Sequence, residues 1–135
     1  MTSELTYLIE KLLKRGAFVI GSRALGVADK ESDWDLAILR TMLPEELNTR
    51  EELNPIDYFS VLPMHNNSLI CIDNKYGIKE IDILIYDNED DFYAVRTALT
   101  ITKTCPTILL QHKPFRVLAF ELALKSTGRF REVTL

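Results

Sequence analysis

The sequence predicts one α+β domain of 135 residues. Three observations carry that expectation. Apolar residues at helical spacing open the chain. Short apolar or alternating runs at 17–20, 33–39, 68–72 and 78–86 fill its middle. From residue 87 onward the pattern is helical, punctuated by Pro106, Pro114 and Gly128.

Taken in order, Ser3 is a candidate N-cap, and Leu5, Leu8, Ile9, Leu12 and Leu13 recur at i, i+3, i+4, i+7 and i+8 with charged residues between them. This predicts an amphipathic helix that Gly16 ends. The run Ala17-Phe18-Val19-Ile20 predicts a strand, and Gly21-Ser22 predicts a sharp turn into a short helix closing at Leu25-Gly26. Residues 27–32 predict a polar loop, and 33–39 a second strand. Pro44-Glu45-Glu46-Leu47 reads as a helix start with acids in its first turn, and Asn54-Pro55-Ile56-Asp57 repeats that signal, so two short helices are expected between 41 and 67. An edge strand over 57–62 is the alternative. The runs 68–72 and 78–86, separated by Asp73-Asn74-Lys75-Tyr76-Gly77, predict a hairpin. Asp87 or Asn88 then caps a helix through Phe92, Val95 and Leu99. Cys105-Pro106 breaks it, a turn or two covers 108–110, and a last helix runs from Lys113-Pro114 to about Ser126. That helix is apolar on most sides, so it is either deeply packed or offers a face to a partner.

Composition narrows the function classes. A charged fraction of 27% and a net charge of −4 give no general basic field for holding a long nucleic acid. Cys71 and Cys105 lack metal-ligand spacing and are expected as reduced thiols, His65 and His112 as surface or loop histidines, and Tyr58 and Tyr86 as aromatics at the edge of the core. The N-terminus lacks the pattern of a signal peptide and no run reaches membrane-spanning length, so a cytoplasmic protein without a membrane partner is expected.

The chemistry concentrates in Gly21-Ser22-Arg23-Ala24-Leu25-Gly26 and Ser32-Asp33-Trp34-Asp35. A strand turning sharply into a helix points backbone N–H groups at an anion, which predicts a phosphate seat at Gly21 and Ser22. On a strand, Asp33 and Asp35 share a face, where two carboxylates repel unless a hard cation such as Mg²⁺ lies between them. Asp82, set in Ile81-Asp82-Ile83-Leu84, is an acid among isoleucines in a central-looking strand, costly unless a cation meets it. Each feature has a plainer alternative: a corner needing a small residue, solvated acids at a strand end, Glu80 in place of Asp82. The cations Lys113, Arg116 and Lys125 of the last helix are expected on a solvated face, and Trp34 in the core.

A Gly-Ser turn after a strand, ten residues, an Asp-x-Asp strand and a later acid in an apolar strand together resemble the polymerase-beta-like nucleotidyltransferases, in the spacing of the minimal, antitoxin-like members. The resemblance covers about residues 17–86. It implies a nucleotidyltransferase fold with a mixed or antiparallel sheet and helices on one side, a catalytic core over 17–86 and C-terminal helices over about 88–128. It further implies two Mg²⁺ ions on Asp33, Asp35 and Asp82. Gly21, Ser22 and Arg23 would bind the nucleotide, and an NMP would pass from an NTP, with ATP expected, to an acceptor hydroxyl. The acceptor is expected on a protein, such as a HEPN-type toxin partner, with RNA or a small molecule as alternatives. A catalytically silent binding module of the same fold is the competing reading.

Overall fold

The computed structural model describes residues 4–29, 32–48, 54–55, 67–72 and 80–129. Helix α1 (Glu4–Lys14) leads into β1 (Phe18–Ile20), which passes directly into the single turn of α2 (Gly21–Ala24). Strand β2 (Trp34–Leu39) is followed by a 3-10 turn (Arg40–Met42) and the short α3 (Glu45–Asn48). Strands β3 (Asn54–Pro55), β4 (Asn67–Ile72) and β5 (Glu80–Tyr86) complete a five-stranded sheet, and α4 (Glu89–Thr102), α5 (Thr107–Leu110) and α6 (Lys113–Ser126) close the fold.

The sheet order is β1-β2-β5-β4-β3, with β2 and β5 parallel at its centre and every other pair antiparallel. The expected hairpin is the β4–β5 pair, while its 73–79 connection lies outside the described residues. Asn54-Pro55 forms the short strand β3, paired with β4 at the edge of the sheet, where a proline lacking its N–H costs little. The remainder of the expected helix, or edge strand, over 57–62 and the Ser3 cap also fall outside the described residues, as do Tyr58 and His65.

Both faces of the sheet are covered. Leu36, Ile38, Ile81, Ile83 and Ile85 pack with Ile9 and Leu12 of α1 and with Leu43 and Leu47. On the opposite face Ile20, Ala37, Leu39 and Tyr86 pack with Phe92, Val95 and Leu99 of α4 and Leu124 of α6. The one-sided helical layer implied by the resemblance is therefore corrected. The apolar stripe of α1 needs a partner, and the unbroken isoleucines of β5 supply one on the face away from α4 and α6. Tyr86, expected at the core edge, is fully buried, its ring 6.0 Å from that of Phe92.

Local chemistry sets the helix ends as the sequence predicts. The Asn88 side chain caps α4 by accepting from the Asp91 N–H at 3.0 Å, with Glu89, Asp90 and Asp91 favourably placed in the first turn. Beyond α6, Arg129 returns to Asp91 at 2.8 Å and so ties the end of α6 to the start of α4. At the far end of the parallel pair, Arg40 after β2 pairs with Asp87 after β5. Among the described residues, no helix is long and apolar enough to cross a membrane.

Candidate active site

Strand direction brings Gly21, Ser22 and the predicted acids to one end of the strands. Because β1 is antiparallel to β2 and β2 parallel to β5, the end of β1 and the starts of β2 and β5 coincide there. Ile20 is in register with Asp35, and Asp35 with Asp82, so the two acids sit side by side on the face that carries α4 and α6. Asp33 lies just before β2 and is exposed at the mouth.

The turn above the acids requires glycine. Gly21 has φ +72°, and a Cβ at this position would stand 2.6 Å from Oδ2 of Asp35. An alanine here would strain the backbone and also displace the Asp35 carboxylate.

Asp35 and Asp82 are joined by a side-chain hydrogen bond. Burial holds the Asp82 carboxyl above the usual carboxylate range; the hydrogen bond to Asp35 opposes that shift, and the charge of Asp33 adds to it. The Oδ1 atom of Asp82 is buried with no hydrogen-bond partner. An orphaned carboxylate oxygen beside a second carboxylate, with a third acid in electrostatic reach, suits a hard divalent cation, which would satisfy Oδ1 and relieve the crowding of charge. In the structure as it stands, no three His, Cys, Asp or Glu side chains among the described residues are gathered closely enough to hold a metal ion. The half-buried pair is formed, and Asp33 is exposed outside it. The side chain of Glu80, the alternative to Asp82, lies outside the described part of the molecule.

A cavity of about 390 Å³ opens from Asp35. Gly21 and Ser22 form its rim, Leu84 and Leu99 part of its floor, and Lys113, Arg116, Val117 and Phe120 of α6 the opposite wall. Arg116 is half-buried, which corrects the expectation of a solvated face for it; Lys113 lines the same cavity yet is exposed, as is Lys125, so the expectation holds for both. Arg116 is fixed there by donating to the carbonyls of Leu110 at 3.0 Å and Gln111 at 3.5 Å. A signal for this wall was present in the chain. Two cations and no acid occupy the first turn of α6, the positive end of a 14-residue helix, where cations are unfavourable unless an anion joins them. His112, at the N-cap of that helix, is exposed and makes no side-chain cap, in keeping with a surface histidine.

Ser22 faces the cavity; Arg23 does not line it. The Arg23 guanidinium donates to the Ser32 carbonyl at 2.7 and 3.2 Å and to the Asp29 carbonyl at 3.3 Å. It also lies over the Trp34 ring, 4.6 Å from its centre. Arg23 thus braces the loop that delivers Asp33, and Trp34 packs against the α1-side core as expected.

A larger hollow of about 490 Å³ between α4 and the end of α6 contains one acid, Asp90, together with Arg129, whose guanidinium is already committed to Asp91. Size alone therefore does not mark the site; the cavity beside the carboxylate pair does. No family model, curated protein or solved structure matches the chain.

Proposed function

We propose that the protein is a Mg²⁺-dependent nucleotidyltransferase that moves an NMP from an NTP, with ATP the expected donor, to an acceptor hydroxyl. The observation that carries this reading is the half-buried Asp35–Asp82 pair, whose Asp35 lines a cavity that also bears Lys113 and Arg116. A carboxylate pair suits a divalent cation and a cationic helix start suits a polyphosphate. A Mg²⁺-bound triphosphate is the ligand that needs both.

In this reading Asp35 and Asp82 would hold the metal, with Asp33 turning in from solvent to complete the set, and the ion when bound would neutralise the triphosphate and make the acceptor hydroxyl more acidic. Lys113 and Arg116 orient the outer phosphates, with Ser22 at the rim. The acceptor oxygen bonds to the α-phosphorus as the bond from that phosphorus to the bridging oxygen breaks, and pyrophosphate leaves on the α6 side. The hydroxyl proton passes to the Asp82 carboxylate, acting as general base. A protein hydroxyl is the acceptor that best fits a single small domain, since a docked partner can complete an open cleft. The cytoplasm, where ATP and Mg²⁺ are abundant, is the matching compartment.

The test is label transfer from each of four α-labelled NTPs in Mg²⁺, in host lysate, with the Asp33→Asn/Asp35→Asn double variant alongside. Label that moves only with the parent chain supports the reading and identifies the acceptor class. Nucleotide binding without any transfer would instead favour a silent nucleotide-binding module.

A further inference from the structure

The cavity beside Asp35 has an apolar stretch that phosphate and metal chemistry leave unused. Along α6 its lining residues fall in two rows, Lys113 and Arg116 in the first turn and Val117 and Phe120 one turn further on, each four residues after a cation. A rise of about 6 Å along the helix axis separates the rows. Leu25, Leu84 and Leu99 line the same space, so aliphatic side chains and one ring surround it. Phe120 is half-buried and packs on the α4-side core, which holds its ring in place, whereas Val117 is 39% exposed. A volume of about 390 Å³ lies within the range of small-molecule sites.

A site tells one base from another through groups that hydrogen-bond the base edge, or through ring size. The polar side chains lining this cavity are Ser22, Asp35, Lys113 and Arg116, and all four belong to its metal and phosphate end. The backbone around the apolar stretch adds no reader. Val117 and Phe120 lie within α6 and Leu99 within α4, while Leu84 lies in β5 between β2 and β4, in register with Ala37 and Ser68. Interior positions of helices and central strands use their N–H and C=O groups in their own ladders. Among the described residues, those around the apolar stretch therefore offer only contact area.

We infer, on the strength of the nucleotide reading above, that Val117 and Phe120 form the seat of the nucleobase and that the site selects its NTP by ring size, with Phe120 the specificity-determining residue. A triphosphate held by Lys113 and Arg116 brings its ribose and base on the same chain of bonds, so the adjoining apolar surface is the one the base meets. A purine covers more of the Phe120 ring and its aliphatic neighbours than a pyrimidine does, and stacking on a ring is blind to the groups on the base edge. Adenine and guanine are accepted alike, because an apolar pocket rejects an added polar group only weakly.

The test is isothermal titration calorimetry of the full chain in Mg²⁺ with the α,β-methylene analogues of ATP, GTP, CTP and UTP, which cannot release pyrophosphate, and with tripolyphosphate. The two purine analogues should bind within about threefold of each other. They should bind about tenfold more tightly than the two pyrimidine analogues. Phe120→Leu keeps the apolar bulk but removes the ring, and should cut the purine advantage to about threefold while leaving tripolyphosphate affinity unchanged. Val117→Ser, at a more exposed position, should weaken all four analogues a few-fold without altering the folded circular-dichroism spectrum. A preference of more than about thirtyfold for one purine over the other overturns the proposal, since it requires hydrogen-bond readout. Base preferences untouched by both substitutions overturn it too. Analogues that bind no more tightly than tripolyphosphate would leave the phosphate site standing and remove the base seat. If neither the analogues nor tripolyphosphate bind, the nucleotide reading itself falls and the base seat with it.

Discussion

Asp35 and Asp82 stand at the same register position on two neighbouring parallel strands, hydrogen-bonded to one another, while Oδ1 of Asp82 remains buried without a partner. A pair arranged this way costs stability, because the two carboxylates crowd each other whenever both are charged. Replacing Asp82 with Asn removes one charge and keeps the shape. In EDTA, Asp82→Asn should melt a few degrees above the parent, whereas in Mg²⁺ its melting point should be insensitive to the ion and NMP transfer should be lost. Thermal unfolding with and without Mg²⁺ checks this.

The same pair sets a pH dependence. The folded-state pKa of Asp82 lies above the ordinary value of 3.8, so the folded protein binds its proton more tightly than the unfolded chain does. Stability from this group is therefore present at low pH and declines as pH rises from the ordinary carboxylate value through the raised one. Affinity for Mg²⁺ should move the opposite way across that window, because the ion needs the ionised form. Denaturant titrations of metal-free protein at several pH values should show the decline in the parent and a flatter profile in Asp82→Asn.

Gly21→Ala tests the turn. At φ +72° an L-residue costs roughly 1–2 kcal/mol, and its methyl group displaces Asp35. Transfer should fall more than a hundredfold, the loss expected when a reacting group is misplaced by about 1 Å, with a folded circular-dichroism spectrum retained. A variant that is destabilised but fully active would show that Asp35 need not stay against Asp82.

Lys113→Ala separates binding from chemistry. It removes a cation from the cavity wall while leaving Arg116 on the Leu110 and Gln111 carbonyls. The KM for the NTP should rise about tenfold with kcat little changed, since a contact made equally in the ground and transition states is removed. Steady-state kinetics with a fixed acceptor provide the measurement. A fall in kcat alone would put Lys113 outside the triphosphate site.

Arg23 should act through the loop, not through phosphate. Arg23→Lys keeps the charge but loses the planar fork that spans Ser32 and Asp29 and the stacking on Trp34. The expected cost is about 1 kcal/mol of stability, with NTP affinity changed less than by Lys113→Ala. Urea denaturation together with nucleotide titration distinguishes the two roles.

Much of this molecule is local and was legible as such. Helix α6 begins at Lys113 and ends at Ser126, where proline at the start and a following glycine dictate it. Likewise α4 starts after Asn88 because that side chain satisfies an N–H of its first turn. The acids Asp33, Asp35 and Asp82 were identifiable because a carboxylate in or beside an apolar strand is costly without a reason.

Tertiary structure decided what depends on residues far apart in the chain. The parallel register sets Asp35 against Asp82, a choice that alternation within one strand cannot make. Lys113 and Arg116 became a cavity wall only because α6 folds back over the edge bearing Gly21 and Asp35, whereas in sequence they are two cations on a helix. Arg23 went to Trp34 and Ser32 because the intervening loop brings their ring and carbonyl within reach. Asn54-Pro55 joined the sheet as β3 because a partner strand distant in sequence, β4, lies beside it. Propensity, capping and hydrophobic period act over a few neighbouring residues, so the sequence by itself determined the elements and the acids. Register and packing act across the whole chain, and they assembled the site.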